Sequence, residues 1–207
     1  IDQKMCKLDQ EIIEKLSKIA NFLEEIGATV SFDSMPAFDL EEVHDLYLKN
    51  LRGTTGALMN DIDYSLANKE AINIKPEDKS YFAYVTRSAL QTHRDFFNIE
   101  QKRQVIRNEW AKFFENWDIL ICPNTARTAI YHDQELPRNQ RTISINGKKE
   151  SYNDQLFWPG LAVYSYLPST SFPAGLAKNG LPIGFQAIGP YLHDLDTINF
   201  AEMMEVT

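Results

Sequence analysis

The sequence predicts an α/β fold, a mixed sheet with flanking helices, as a single domain over its 207 residues. Three observations carry that prediction. Between Leu167 and Tyr191, two short apolar runs, Ser169–Phe172 and Ile183–Ile188, are bounded by prolines and glycines. Both are too short for helices and read as buried strands. Ile12, Ile13, Leu16, Ile19, Ala20, Leu23 and Ile26 recur at helical spacing, and Gly27 then leads into Thr29–Phe32, which alternates as a strand does. A third apolar run, Ile119–Cys122, lies between Asp118 and Pro123 and reads as another buried strand.

Taken in order, the first helix has Asp9 as N-cap, Glu11 in its positive first turn and Gly27 just past its end. Helix, glycine, strand is half of a crossover unit, and an upstream strand would complete it. Asp33-Ser34-Met35-Pro36 is a turn, and Asp39-Leu40-Glu41-Glu42 is a capping-box-like start for a helix whose apolar face is Val43, Leu46, Tyr47 and Leu51. Gly53 and Gly56 are expected to interrupt or loosen that helix. Residues 57–79 are polar, with Pro76 a helix boundary. Residues 80–116 carry a helical pattern, read as two helices broken near Phe97–Ile99. Residues 123–140 read as loop.

Ile143, Ile145, Asn146-Gly147 and Tyr152 predict a hairpin, because Asn-Gly suits a two-residue turn. Asp154–Tyr166 is aromatic-rich and helical in part. Asn179-Gly180 supplies the turn between the last two strands, with Pro173 and Pro182 at their ends, where a missing N–H matters least. Asp194 is expected to cap a final helix through Leu195, Ile198, Ala201 and Met204.

Composition excludes several function classes. With 21 basic and 29 acidic residues, the net charge of −8 disfavours a surface that coats nucleic acid. No run approaches a membrane span. Two cysteines, Cys6 and Cys122, are too few for a disulfide framework, so a reducing cytoplasm is expected. His44, His93, His132 and His193 stand apart from one another, with no second ligand at metal spacing. Cys122 reads as a small packed hydrophobe rather than a nucleophile. Arg103, Arg107 and Lys112, with Glu100 and Glu109 among them, read as a solvated salt-bridge face.

The order Leu167-Pro168, Phe172-Pro173-Ala174-Gly175, Gly180-Leu181-Pro182-Ile183-Gly184-Phe185-Gln186, Ile188-Gly189-Pro190, then Asp194 and a closing helix, resembles the C-terminal end of amidase signature family enzymes. Trp117-Asp118, the apolar run after it and Pro123-Asn124-Thr125 resemble the segment that precedes it. The resemblance implies the C-terminal part of an α/β/α amidase fold. It also implies hydrolysis of a carboxamide without metal or organic cofactor. Those enzymes use a nucleophilic serine, a bridging serine in a cis peptide and a lysine, set in a Gly/Ser-rich N-terminal region. No Gly-Gly-Ser-Ser-Gly-like run occurs here, so the expectation is no catalytic residue in this chain and no activity of the chain alone. Ser169 and Ser171 are read as buried hydroxyls bonded to backbone.

The same resemblance suggests substrate-pocket wall. Thr125, Asp154, Phe157 and Trp158 are the candidate substrate-binding residues, with Asp154 suited to a polar tip and the aromatics to an apolar acyl group. The plainer alternative is that Phe157 and Trp158 are core, and that Thr125 is a loop hydroxyl. Tyr166 stands where the family has a small residue, and Val163 where it has asparagine. Expected partners are a small-molecule amide, the missing N-terminal half and a second copy bound through an exposed apolar face, with neither nucleic acid nor membrane. A different class stays open: a non-catalytic binding or scaffold module built on half of the fold.

Overall fold

In the computed structural model, residues 6–205 are described. Helix α1 (Gln10–Glu25) is capped by the Asp9 side chain, which accepts from the Glu11 N–H, and it buries Ile12, Leu16, Ile19, Ala20 and Leu23 of the expected face, whereas Ile13 is partly buried and Ile26, at the C-cap, is exposed. Thr29–Phe32, however, is not a strand. A strand exists only where a neighbour completes its hydrogen-bond ladder, and none of the described strands lies beside it.

Helix α2 (Leu40–Ala57) runs unbroken through both glycines, which serve close approach rather than interruption. A Cβ on Gly56 would collide with the Ala89 carbonyl oxygen, so the glycine lets α2 meet α4 (Tyr81–Ala89) backbone to backbone. Between them α3 (Asp61–Ile72) is capped by Asn60 and buries no residue. Helix α5 (His93–Phe113) starts earlier than expected. Thr92 and Asp95 form a reciprocal capping box, which places the break at Leu90–Thr92 rather than near Phe97–Ile99. Arg103 is also corrected: it is 5% exposed, bridges to Glu100 at 2.9 Å and stacks on the rings of Tyr164 and Tyr166. It clamps α5 to the next helix instead of facing solvent.

Strand β1 (Leu120–Pro123) pairs antiparallel with β5 (Pro182–Ile188), which pairs antiparallel with β4 (Ser169–Leu176), giving the order β1-β5-β4. Strands β2 (Thr142–Ile145) and β3 (Lys148–Ser151) form the expected hairpin, with Asn146 and Gly147 both at positive φ, 50° and 77°. A 3-10 turn at Tyr152–Leu156 feeds α6 (Phe157–Ser165). In α7 (Asp194–Glu205) the inward side is Thr197, Phe200, Ala201 and Met204, whereas Leu195 and Ile198 are exposed. One cluster of buried apolar side chains reaches from α1 to α7, centred on Trp110, Phe157, Tyr164 and Phe185. Of the two buried strands expected at the C-terminal end, β5 is enclosed. Among the described residues strand β4 is an edge, and it exposes Ser169 and Ser171. Among the described residues no helix is long and apolar enough to cross a membrane.

Candidate functional site

The site begins at a buried amide. Gln186 sits in the apolar run of β5 and is 6% exposed. Burying an amide is tolerable only when its hydrogen bonds are kept. Its Nε2 donates to the carbonyls of Pro123 and Trp158, both at 3.2 Å, and its Oε1 accepts from the Ser169 hydroxyl at 2.8 Å. One side chain therefore joins the end of β1, the start of α6 and the edge strand β4. The sequence pattern shows Gln186 only as part of a strand. The one signal it gives is an amide in the middle of an otherwise apolar run.

The loop after β1 is held from three more directions. The Ala126 N–H donates to Gln155 Oε1 at 3.0 Å, which sets this loop against the turn that carries Asp154. The Ala126 carbonyl accepts from the Asp9 N–H at 2.8 Å, tying the loop to the start of α1. Asn124 Oδ1 accepts from the Ser171 hydroxyl at 3.3 Å. The serines of β4 are thus exposed and bonded to side-chain amides, not buried and bonded to backbone.

The four predicted residues divide into two pairs. Phe157 and Trp158 are 1% and 5% exposed, and meet edge to face at 4.9 Å. They line an apolar slot of about 530 Å³ together with Leu161, Cys122, Pro123 and the inner face of α1. Thr125 and Asp154 lie outside that lining. Thr125 is exposed, and its hydroxyl donates to the Arg127 carbonyl at 2.7 Å. Asp154 is half-buried. Its carboxyl is pushed up to about 6, first by burial and then by Glu150, while the Ser151 N–H and Lys7 oppose the shift. A second, more polar cavity of about 1090 Å³ lies under the loop from Arg127 to Gln134, beside β2 and Tyr152.

Neither Ser169 nor Ser171 has a base as its hydrogen-bond partner among the described residues. Ser169 and Ser171 donate to amide oxygens, which are not bases. The His44 imidazole is held below its usual range by burial and packs against Phe157 at 5.4 Å. Burial pushes the Cys122 thiol far up, as suits a packed hydrophobe. Among the described residues no group of three or more His, Cys, Asp or Glu side chains could hold a metal ion.

The profile of the family described as Amidase matches residues 1–198. The A-subunit of glutamyl-tRNA(Gln) amidotransferase from Wolbachia sp. subsp. Drosophila simulans (strain wRi) is 24% identical over 222 residues, covering 99% of this chain and 42% of the relative. The mitochondrial protein of that name from Bos taurus is 25% identical over 216 residues, covering 96% of this chain and 39% of the relative. Among solved structures, an amidase superposes with a TM-score of 0.70 at 16% identity, over 96% of this chain and 42% of that one. A bacterial aryl acylamidase of the amidase signature enzymes superposes with a TM-score of 0.69 at 23% identity, over 96% of this chain and 40% of that one. The chain thus spans less than half the length of these relatives.

Proposed function

The chain belongs to the amidase family, and from that premise we propose that it forms the C-terminal part of a carboxamide hydrolase whose catalytic serines and lysine lie outside it. The reaction breaks the C–N bond of an amide, adds water across it, and releases a carboxylic acid and an amine. In this reading the chain supplies sheet core and one wall of the substrate pocket, and is inactive alone.

The observation that carries the reading is the bonding of the two serines in β4. A nucleophilic hydroxyl must give up its proton as it attacks, so a base has to lie within hydrogen-bond reach. Ser169 and Ser171 instead donate to Gln186 and Asn124. Those bonds fasten the wall. The Gln186 junction holds the loop after β1 and the first turn of α6 in one register, and the Ala126–Gln155 bond adds the Asp154 turn. Phe157 and Trp158 give an apolar acyl group a surface, and the half-buried Asp154 carboxyl offers a polar contact at the rim.

The test is an amide assay on the purified chain, with a panel of simple and aryl amides and amine release as readout. No turnover above the buffer rate is expected. Turnover abolished by Ser169→Ala or Ser171→Ala would overturn the assignment of the nucleophile to another part of the fold.

A further inference from the structure

We propose that the polar cavity under residues 127–134 binds a small organic carboxylate with an apolar body, held by the guanidinium groups of Arg127 and Arg141. This goes beyond the reading under Proposed function, since the cavity and the apolar slot have no lining residue in common.

The chain leaves β1 and runs through residues 124–141, with a single 3-10 turn at Arg138–Gln140, before β2 begins. Two arginines are anchored along this path. Arg127 donates from one terminal nitrogen to the Ser144 carbonyl on β2. Arg141 donates from Nε to the Leu136 carbonyl at 2.8 Å. Each bond uses one N–H of a guanidinium, so each side chain is positioned while most of its fork stays unspent. Both arginines are partly buried, and the Arg127 Nε is buried with no hydrogen-bond partner among the described residues. Among the described residues neither one pairs with a carboxylate. A guanidinium taken partly out of water loses solvation that a bound oxyanion would return. Ser144 lies three residues after Arg141, about 10 Å along an extended strand, which two arginine side chains span, so one small molecule can meet both.

The charge and shape of the walls select the ligand class. Among the described residues Asp133 is the only acidic one in the lining, and its Oδ1 accepts from the Leu136 N–H at 3.1 Å. Two guanidiniums against one carboxylate leave one positive charge when His132 is neutral, which matches a monoanion better than a phosphate dianion. The planar fork of arginine also fits the paired oxygens of a carboxylate. Arg138 lies over the Tyr152 ring, 5.6 Å from its centre, and adds positive potential beside the cavity. In a protein of net charge −8 this attraction is local. Ile143, Leu181 and Tyr152 supply the apolar part of the walls, and about 1090 Å³ leaves room for a small organic molecule.

The experiment titrates the isotopically labelled chain with sodium benzoate and follows backbone amide resonances residue by residue. Benzyl alcohol, neutral and of similar shape, and phenyl phosphate, a dianion, are the comparison ligands. Benzoate is expected to give saturable shifts at residues 127–134 and 141–144 and at Asn179, with Ile19 and Leu161 of the slot unmoved. It should bind at least about tenfold more tightly than benzyl alcohol, and more tightly than phenyl phosphate. Arg127→Gln and Arg141→Gln should each weaken benzoate by about tenfold. An unchanged spectrum of β5 shows that a variant is folded. Arg127→Gln also loses the bond to Ser144, so Arg141→Gln, which leaves that bond in place, is the decisive variant. No saturable benzoate shifts, equal binding of benzyl alcohol, tighter binding of phenyl phosphate, shifts confined to the apolar slot, or full affinity in Arg141→Gln would each overturn the proposal.

Discussion

Replacing Gln186 with leucine tests the junction that organises the site. Leucine nearly preserves the volume but removes two donors and one acceptor. The Pro123 and Trp158 carbonyls would each lose their 3.2 Å partner. Pro123 is fully buried and Trp158 is 5% exposed, so water reaches neither easily. The Trp158 carbonyl lies within α6 and keeps the helix's own donor, so the orphaned group is the Pro123 carbonyl, which costs about 1–3 kcal/mol, and the apolar gain of leucine offsets part of that. Ser169 is exposed and can turn to solvent, so its lost 2.8 Å bond contributes little. The expected loss is about 1–2 kcal/mol, read from urea unfolding followed by tryptophan fluorescence. Gln186→Glu should be worse at neutral pH, because it buries a charge against two carbonyls, and should recover as the pH falls and the carboxyl regains a proton to donate. A loss below about 0.5 kcal/mol for Gln186→Leu, the size of an ordinary surface substitution, would refute the claim that this amide holds the wall together.

Three other perturbations probe the same geometry. Gly56→Ala should cost about 1–3 kcal/mol or more, since the new methyl collides with the Ala89 carbonyl and α2 must move off α4; thermal unfolding reads this directly. Asp154 has its folded-state pKa raised, to about 6 against 3.8, so its protonated form is the one the fold favours. Stability is therefore fully present below about pH 4 and falls as pH rises through about 6, and Asp154→Asn should raise stability at pH 8 by about 1 kcal/mol after discounting for partial solvent exposure, with no gain at pH 3.5. Chemical denaturation at the two pH values checks that sign. Cys122 is buried and its thiol pushed up, so in a Cys6→Ala background a thiol reagent should modify it only as fast as the fold opens; modification at a free-thiol rate would contradict its place in the core.

The parts of the fold that are legible in the sequence are those with local causes. Asn146-Gly147 adopts the paired positive φ that its turn needs, and the Asn179-Gly180 turn joins β4 to β5. The face of α1 follows from spacing alone. What escapes depends on neighbours distant in the chain. Gly53 and Gly56 read as breaks because their partners are not visible locally: a Cβ on Gly56 would collide with Ala89 of α4, and one on Gly53 with the Gln91 side chain beyond it. Thr29–Phe32 has the pattern of a strand and no ladder, since alternation describes one strand and pairing needs two. The start of α5 is a different case: Thr92 and Asp95 stand three apart in the sequence and are readable as a capping box. Of the site candidates, Phe157 and Trp158 are buried and line the slot, while Thr125 and Asp154 lie on neighbouring segments joined by the Ala126–Gln155 bond. Gln186, which ties the end of β1 to the start of α6 and to β4, stays hidden because a polar residue in a strand gives no hint of its partners.

The measurement that tests the central claim most directly is reaction of the purified chain with a fluorophosphonate, which forms a stable adduct with activated serines, followed by intact mass and peptide mapping. The account predicts an unmodified chain, because the Ser169 and Ser171 hydroxyls are bonded to amide oxygens and no base activates them. A stoichiometric adduct on Ser169 or Ser171 would mean that this chain carries its own nucleophile, and would contradict the assignment of the catalytic residues to another part of the fold.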